Sequence, residues 1–165
     1  MDFEHSPRAV ELQARLSTFM DRHVYPVETL YQKQVENGHR HHRPPVLEEL
    51  KRRARGEGLW NLFLPDAEHG AGLTNLEYAP LAEIMGRSGI ASRIFNCAAP
   101  DTGNMEILAQ FGSDAQKKKY LQPMLEGEIR SCFSMTEPEV SSADPTQLQT
   151  LAKRDGDSYV LNGHK

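Results

Sequence analysis

The chain has 165 residues, 38% of them hydrophobic and 25% charged, enough for a core that buries roughly 70% of the unfolded surface. Nineteen Lys and Arg against 23 Asp and Glu leave a formal charge of −4, which argues against a general nucleic-acid or anionic-membrane partner. No apolar run nears the ~18 residues of a membrane span, and Met1-Asp2-Phe3-Glu4-His5 is too acidic for a signal or transit peptide.

The first two-thirds reads as helices. Ser6-Pro7 suits a cap and a first-turn proline, and Val10, Leu12, Leu16, Phe19, Met20, Val24 and Val27 form a helical apolar stripe, with a kink or break expected at Pro26. After the loop Asn37 to Pro45, residues Val46, Leu47, Leu50 and Ala54 mark a helix that Gly56 and Gly58 end. Leu59 to Pro65 reads as a buried extended connector, and Gly70-Ala71-Gly72 as a turn. Thr74 with Glu77 forms a capping box for a helix through Leu81, Ile84 and Met85. Gly86 to Gly89 breaks it, and Ile90 to Cys97 suits a short helix. Asp101-Thr102 precedes a helix carrying Met105, Ile107, Leu108 and Phe111, closed by Gly112. Ser113 with Gln116 is a second capping box, ahead of Tyr120, Leu121, Met124 and Leu125.

From Glu128 the pattern changes to strand signals at Ile129 to Thr136, Leu148 to Lys153 and Ser158 to Leu161, the last two joined across Asp155-Gly156-Asp157. The expected fold class is therefore α+β. An all-α N-terminal domain, 1–127, precedes the beginning of an antiparallel β domain, 128–165.

Cys97 and Cys132 stand 35 positions apart and match no metal or redox spacing. We expect two small buried thiols in a soluble, reduced, intracellular protein, with cytoplasm, mitochondrion and peroxisome all open.

The run Cys132-Phe133-Ser134-Met135-Thr136-Glu137-Pro138 holds the chemistry. Pro138 cannot join a ladder, so pairing should end there, with Phe133 and Met135 on one face and Ser134 and Thr136 on the other. Such an end offers apolar surface, hydroxyls and free N–H groups together, and Ser141 and Ser142 in the following turn suit phosphate oxygens. By composition alone, the run is better read as an ordinary strand leading into a Ser- and Thr-rich turn.

Three stretches carry a family resemblance. They are Leu64-Pro65 with Gly70-Ala71-Gly72, the helix from Phe111 to Pro123, and Met135-Thr136-Glu137-Pro138 with the Glu139 to Asp144 loop. The chain resembles the acyl-CoA dehydrogenases: a helical domain, a middle β domain and a C-terminal helical bundle, of which this sequence covers the first and the opening of the second. Ala99-Pro100-Asp101-Thr102-Gly103-Asn104-Met105-Glu106 and the longer loop look most like the branch with human members ten and eleven.

The resemblance implies FAD and the oxidation of an acyl-CoA to a trans-2-enoyl-CoA. In that reaction a carboxylate removes the α proton while hydride leaves the β carbon for flavin N5. It implies Phe133, Ser134, Met135, Thr136, Glu137, Pro138, Ser141 and Ser142 as cofactor-binding, with Thr136 hydrogen-bonding at N5 or O4 and Ser142 at pyrophosphate or substrate. The loop has one residue more than the family's T-E-P-x-x-G-S-D, so Ser141 and Ser142 both compete for the serine role, Ser142 first. The family's W-I-T segment and catalytic glutamate belong beyond Lys165, so no catalytic residue is assigned here. Glu137 reads as structural rather than as a base. An electron-transfer flavoprotein or similar acceptor, and assembly as a homo-oligomer, are the implied partners.

A non-catalytic helical binding module, or a truncated remnant, is the alternative; an acyl-CoA oxidase would differ in oxygen access. His39, His41 and His42 lie in a basic loop without acidic or Cys neighbours and read as solvated, leaving no metal site. Lys117-Lys118-Lys119 reads as a solvated helix face, and Trp60 with Leu62, Phe63 and Leu64 as core.

Overall fold

Ser6 accepts a hydrogen bond from the Ala9 N–H and Pro7 occupies the first turn, so helix α1, Pro7–Phe19, begins as the sequence predicts. The computed structural model describes residues 4–38, 43–141 and 144–165. Their chain contacts divide into two units, residues 1–131 and 132–165.

In the first unit the inward face of α1 is Ala9, Leu12, Leu16 and Phe19. Val10, expected in that stripe, is exposed, because a step of one residue turns it about 100° from Ala9 on a 3.6-residue helix. Beyond Phe19 the helix widens into a π turn, Met20–Val24, and then tightens into a 3₁₀ turn, Tyr25–Val27. Pro26 supplies the reason: it has no N–H to give to the preceding turn, so the ladder is rearranged around it. Helix α2, Glu28–Glu36, continues from there, followed by α3, Pro45–Gly56.

Leu59, Leu62, Phe63 and Leu64 are buried, as read, but the connector is not extended. It turns at Asn61, whose φ is +54°. Gly70 has no substitute: a Cβ there would lie 2.4 Å from the Leu64 carbonyl oxygen. The capping box of Thr74 and Glu77 opens α4, Asn75–Met85, which packs on α1. Glu77 also accepts from the Ser6 hydroxyl at 2.7 Å, tying the two helix starts together.

Helix α5, Ala91–Ile94, packs on α3, and Phe95 meets Phe19 edge-on at 5.2 Å between ring centres. Helix α6 runs Asp101–Phe111, with Asp101 inside its first turn rather than before it. The second capping box, Ser113 with Gln116, is formed, and α7, Asp114–Gln116, leads through a π segment into α8, Gln122–Leu125. Met105, Leu121, Met124 and Leu125 join the core, whereas Ile107, Phe111 and Tyr120 are exposed. Cys97 is buried as expected, and Cys132 is exposed.

In the second unit, β1, Leu151–Asp155, pairs antiparallel with β2, Ser158–Asn162, from Leu151 opposite Asn162 to Asp155 opposite Ser158. Gly156, at φ +60°, takes the first of the two turn positions, where glycine meets no steric penalty. The first strand begins three residues later than Leu148, since Leu148 to Thr150 are held by other bonds. The expected strand at Ile129 to Thr136 does not form. Its composition favours pleated structure, but a strand needs a neighbouring edge, and among the described residues none pairs with it. The family expectation of helices followed by antiparallel β structure is met.

Candidate functional site

The segment from Cys132 to Thr136 is irregular and its side chains are exposed. Phe133 is 61% and Met135 42% exposed, large values for such side chains. Ser134 and Thr136 are exposed as well. Among the described residues, no backbone N–H from Cys132 to Thr136 donates to a backbone carbonyl. Apolar surface, hydroxyls and open amide donors thus lie within five consecutive residues.

Glu137 is the opposite. It is 3% exposed, and its two oxygens accept the Gln149 N–H at 2.6 Å and the Thr150 N–H at 2.9 Å. Lys165 Nζ lies 2.9 Å from Oε1. The Gln149 N–H first, then Thr150 and Lys165, bring the carboxyl down to about 2. These bonds make Glu137 a tether between the motif and the residues entering β1. A carboxylate so engaged is a poor proton acceptor.

Lys165 Nζ also donates to the Met135 carbonyl oxygen at 2.9 Å. Sequence reasoning gave Lys165, Gln149 and Thr150 no part in this site. No spacing rule links a lysine to a carbonyl thirty positions earlier, so the sequence carried no signal for this contact.

Pro138 is exposed in a turn, as is Ser141 in the loop beyond it. Ser142 lies outside the described residues, so its competition with Ser141 has no structural counterpart. Asp144 closes that loop by accepting from Thr146 N and Oγ1 at 3.0 and 2.6 Å, which lower its carboxyl pKa.

His39, His41 and His42 also lie outside the described residues. In the first unit, Asp66, Glu68 and His69 gather their ligand-type atoms within 4.8 Å. His69 Nδ1 is 2.5 Å from Asp66 Oδ2, and that bond lowers the Asp66 pKa. The groove beside it is lined by Arg55, Trp60, His69 and Glu126. Its cation is already matched, with Arg55 stacked 4.5 Å over the Trp60 ring and 2.9 Å from Glu126. Trp60 is half-buried and donates to the Leu125 carbonyl at 2.7 Å. Lys118 and Lys119 are exposed, Lys117 half so.

Residues 6–128 match the family model described as acyl-CoA dehydrogenase, N-terminal domain. The chain belongs to the acyl-CoA dehydrogenase family. It is 50% identical over 165 residues to acyl-CoA dehydrogenase family member 10 of Mus musculus, covering 97% of this chain and 15% of that protein. It is 48% identical over 167 residues to family member 11 of Gallus gallus, covering 99% and 21%. A solved structure from Mycobacterium abscessus, assigned to the acyl-CoA dehydrogenases, superposes with a TM-score of 0.84 at 50% identity, covering 97% of this chain and 42% of its own. The chain thus spans less than half the length of each of these relatives. The branch resemblance read from Ala99 to Glu106 and the Glu139 to Asp144 loop agrees with members 10 and 11. Among the described residues, no helix is long and apolar enough to cross a membrane.

Proposed function

We propose that this chain supplies the helical N-terminal part and the opening of the flavin site of an FAD-dependent acyl-CoA dehydrogenase. Residues 1–127 would be the helical domain and 128–165 the start of the β domain. The observation that carries this reading is the run Phe133 to Thr136, exposed and with backbone N–H groups that meet no backbone carbonyl among the described residues, directly before a tethered Glu137.

The donor set suits a flavin, whose ring has apolar faces and a polar edge. Phe133 and Met135 offer surface to the ring, and Thr136 offers its hydroxyl and N–H to the edge at N5 or O4. Ser134 and Pro138 border the ring, and Ser141 or Ser142 donates to the pyrophosphate, with Ser142 also facing substrate. FAD, when bound, supplies the hydride acceptor for oxidation of an acyl-CoA to the trans-2-enoyl-CoA. Glu137 holds the segment in place and leaves proton abstraction to a group outside this chain. Fatty-acid metabolism, an electron-transfer flavoprotein or similar acceptor, and a homo-oligomer complete the reading.

The test is FAD titration of the purified chain and its Thr136→Val variant, followed by fluorescence. Loss of one neutral hydrogen bond should weaken binding about fivefold. Equal affinities would remove the Thr136 hydroxyl from the site. Grafting the chain into the Mycobacterium abscessus protein tests the reaction: acyl-CoA should bleach the flavin anaerobically, and a flavin that stays oxidised with every acyl-CoA would refute it.

One observation favours a binding module as second reading. Ile107 and Phe111, four apart on α6, are 55% and 79% exposed, an apolar step available to a partner.

A further inference from the structure

We infer that Lys165 is a positioning residue of the flavin site, fixing the Met135–Thr136 peptide and strengthening its N–H as a donor. The inference rests on the flavin reading of Phe133 to Thr136.

Lys165 makes two contacts with Nζ, one to the Met135 carbonyl oxygen and one to Glu137 Oε1, each at 2.9 Å. The anion is itself immobilised. The Glu137 side chain is 2% exposed, and its oxygens are held by two consecutive backbone N–H groups at the start of the hairpin. An ammonium anchored to a fixed carboxylate cannot wander, so its bond to Met135 is directional rather than a fluctuating surface contact. Only 24% of the Lys165 side chain is exposed, so solvent screens the pair less than it would an exposed one. The neighbouring contact, His164 Nδ1 with Glu139 Oε1 at 2.9 Å, involves neither Lys165 nor Glu137.

The electronic consequence follows from peptide geometry. The Met135 carbonyl and the Thr136 N–H are opposite ends of one conjugated amide. A cation on the oxygen draws density through that amide and leaves the N–H more positive, the same polarisation that strengthens hydrogen bonds in chains. The Thr136 N–H donates to no backbone carbonyl among the described residues. It is also the group assigned above to the ring edge. Lys165 therefore acts on the flavin through the peptide, without touching it, and favours the reduced ring, whose added electron density rewards a stronger donor.

The experiment uses the ¹⁵N-labelled chain as wild type, Lys165→Met and Lys165→Gln, recording the Thr136 amide resonance and titrating FAD. Lys165→Met keeps length and removes the charge. It should shift the Thr136 amide proton upfield and weaken FAD about threefold, because a neutral hydrogen bond is weakened and not lost. Lys165→Gln retains a neutral donor and should fall between, and it stands in if the Met variant does not fold. A purely structural lysine would lower the melting temperature while leaving both the Thr136 resonance and FAD affinity of the folded variants unchanged, and that result overturns the inference. If the wild type binds no FAD yet the variants still move Thr136, the polarisation stands and the flavin assignment fails.

Discussion

Asn96 Nδ2 donates to Asn61 Oδ1 at 2.7 Å across 35 positions of sequence, and both residues hold the left-handed backbone region, at φ +55° and +54°. Asn is among the few side chains that accept that region readily. Asn96 also donates to the Met124 carbonyl at 3.0 Å, and Asn61 to the Leu125 carbonyl at 3.1 Å. One buried polar knot thus joins the end of α5, the turn at Asn61 and the last turn of α8.

Asn96→Ala should destabilise the first unit by about 2 kcal/mol, because it takes the donor from the buried Asn61 amide oxygen and adds left-handed strain. Urea unfolding followed by helical circular dichroism measures it. A loss under about 0.5 kcal/mol would mean that water replaces the knot without cost.

Glu137 predicts an acid response in the second unit. Its folded pKa, about 2, lies below its ordinary 4.5, so its contribution is fully present above about 4.5 and is lost as pH falls toward 2. Hairpin resonances should broaden or shift through that window in the wild type. Glu137→Gln should flatten the response, with its order already reduced at pH 7. A wild-type hairpin unchanged down to pH 2 would contradict the tether.

The two thiols should separate cleanly. Burial pushes the Cys97 thiol up to about 11, whereas Cys132 is exposed. Reaction with a disulfide reagent at pH 8 should titrate one thiol at once and the second only in denaturant. Replacing Cys132 by Ser should abolish the fast phase, and equal rates for both would contradict the burial of Cys97.

Asp101 is 3% exposed and accepts from both the N–H and the hydroxyl of Ser131 at 2.7 Å, as well as from Arg130 Nε. Asp101→Ala should cost about 3 kcal/mol by leaving those donors unmatched. Ser131→Ala, which removes only the hydroxyl, should cost about 1 kcal/mol. The urea midpoints of the two variants give the comparison, and equal midpoints would deny Asp101 its anchoring role.

Features that depend on neighbours within a few residues were legible in the sequence. The caps at Ser6, Thr74 and Ser113, the break around Pro26 and the Gly156 hairpin all use bonds or steric limits spanning three to five positions. Their chemistry is complete before the chain folds further. The motif from Phe133 to Pro138 was likewise visible, through resemblance rather than periodicity. Tertiary structure alone decided what lies opposite each element. Composition marked Ile129 to Thr136 for a strand, yet pairing requires an edge, and none of the described residues provides it. Periodicity gave Ile107 and Phe111 an apolar face but could not say what covers it. Asn61 with Asn96, and Lys165 with Met135 and Glu137, are partners across roughly thirty positions, and a linear pattern carries no record of such meetings because loop closure sets no spacing.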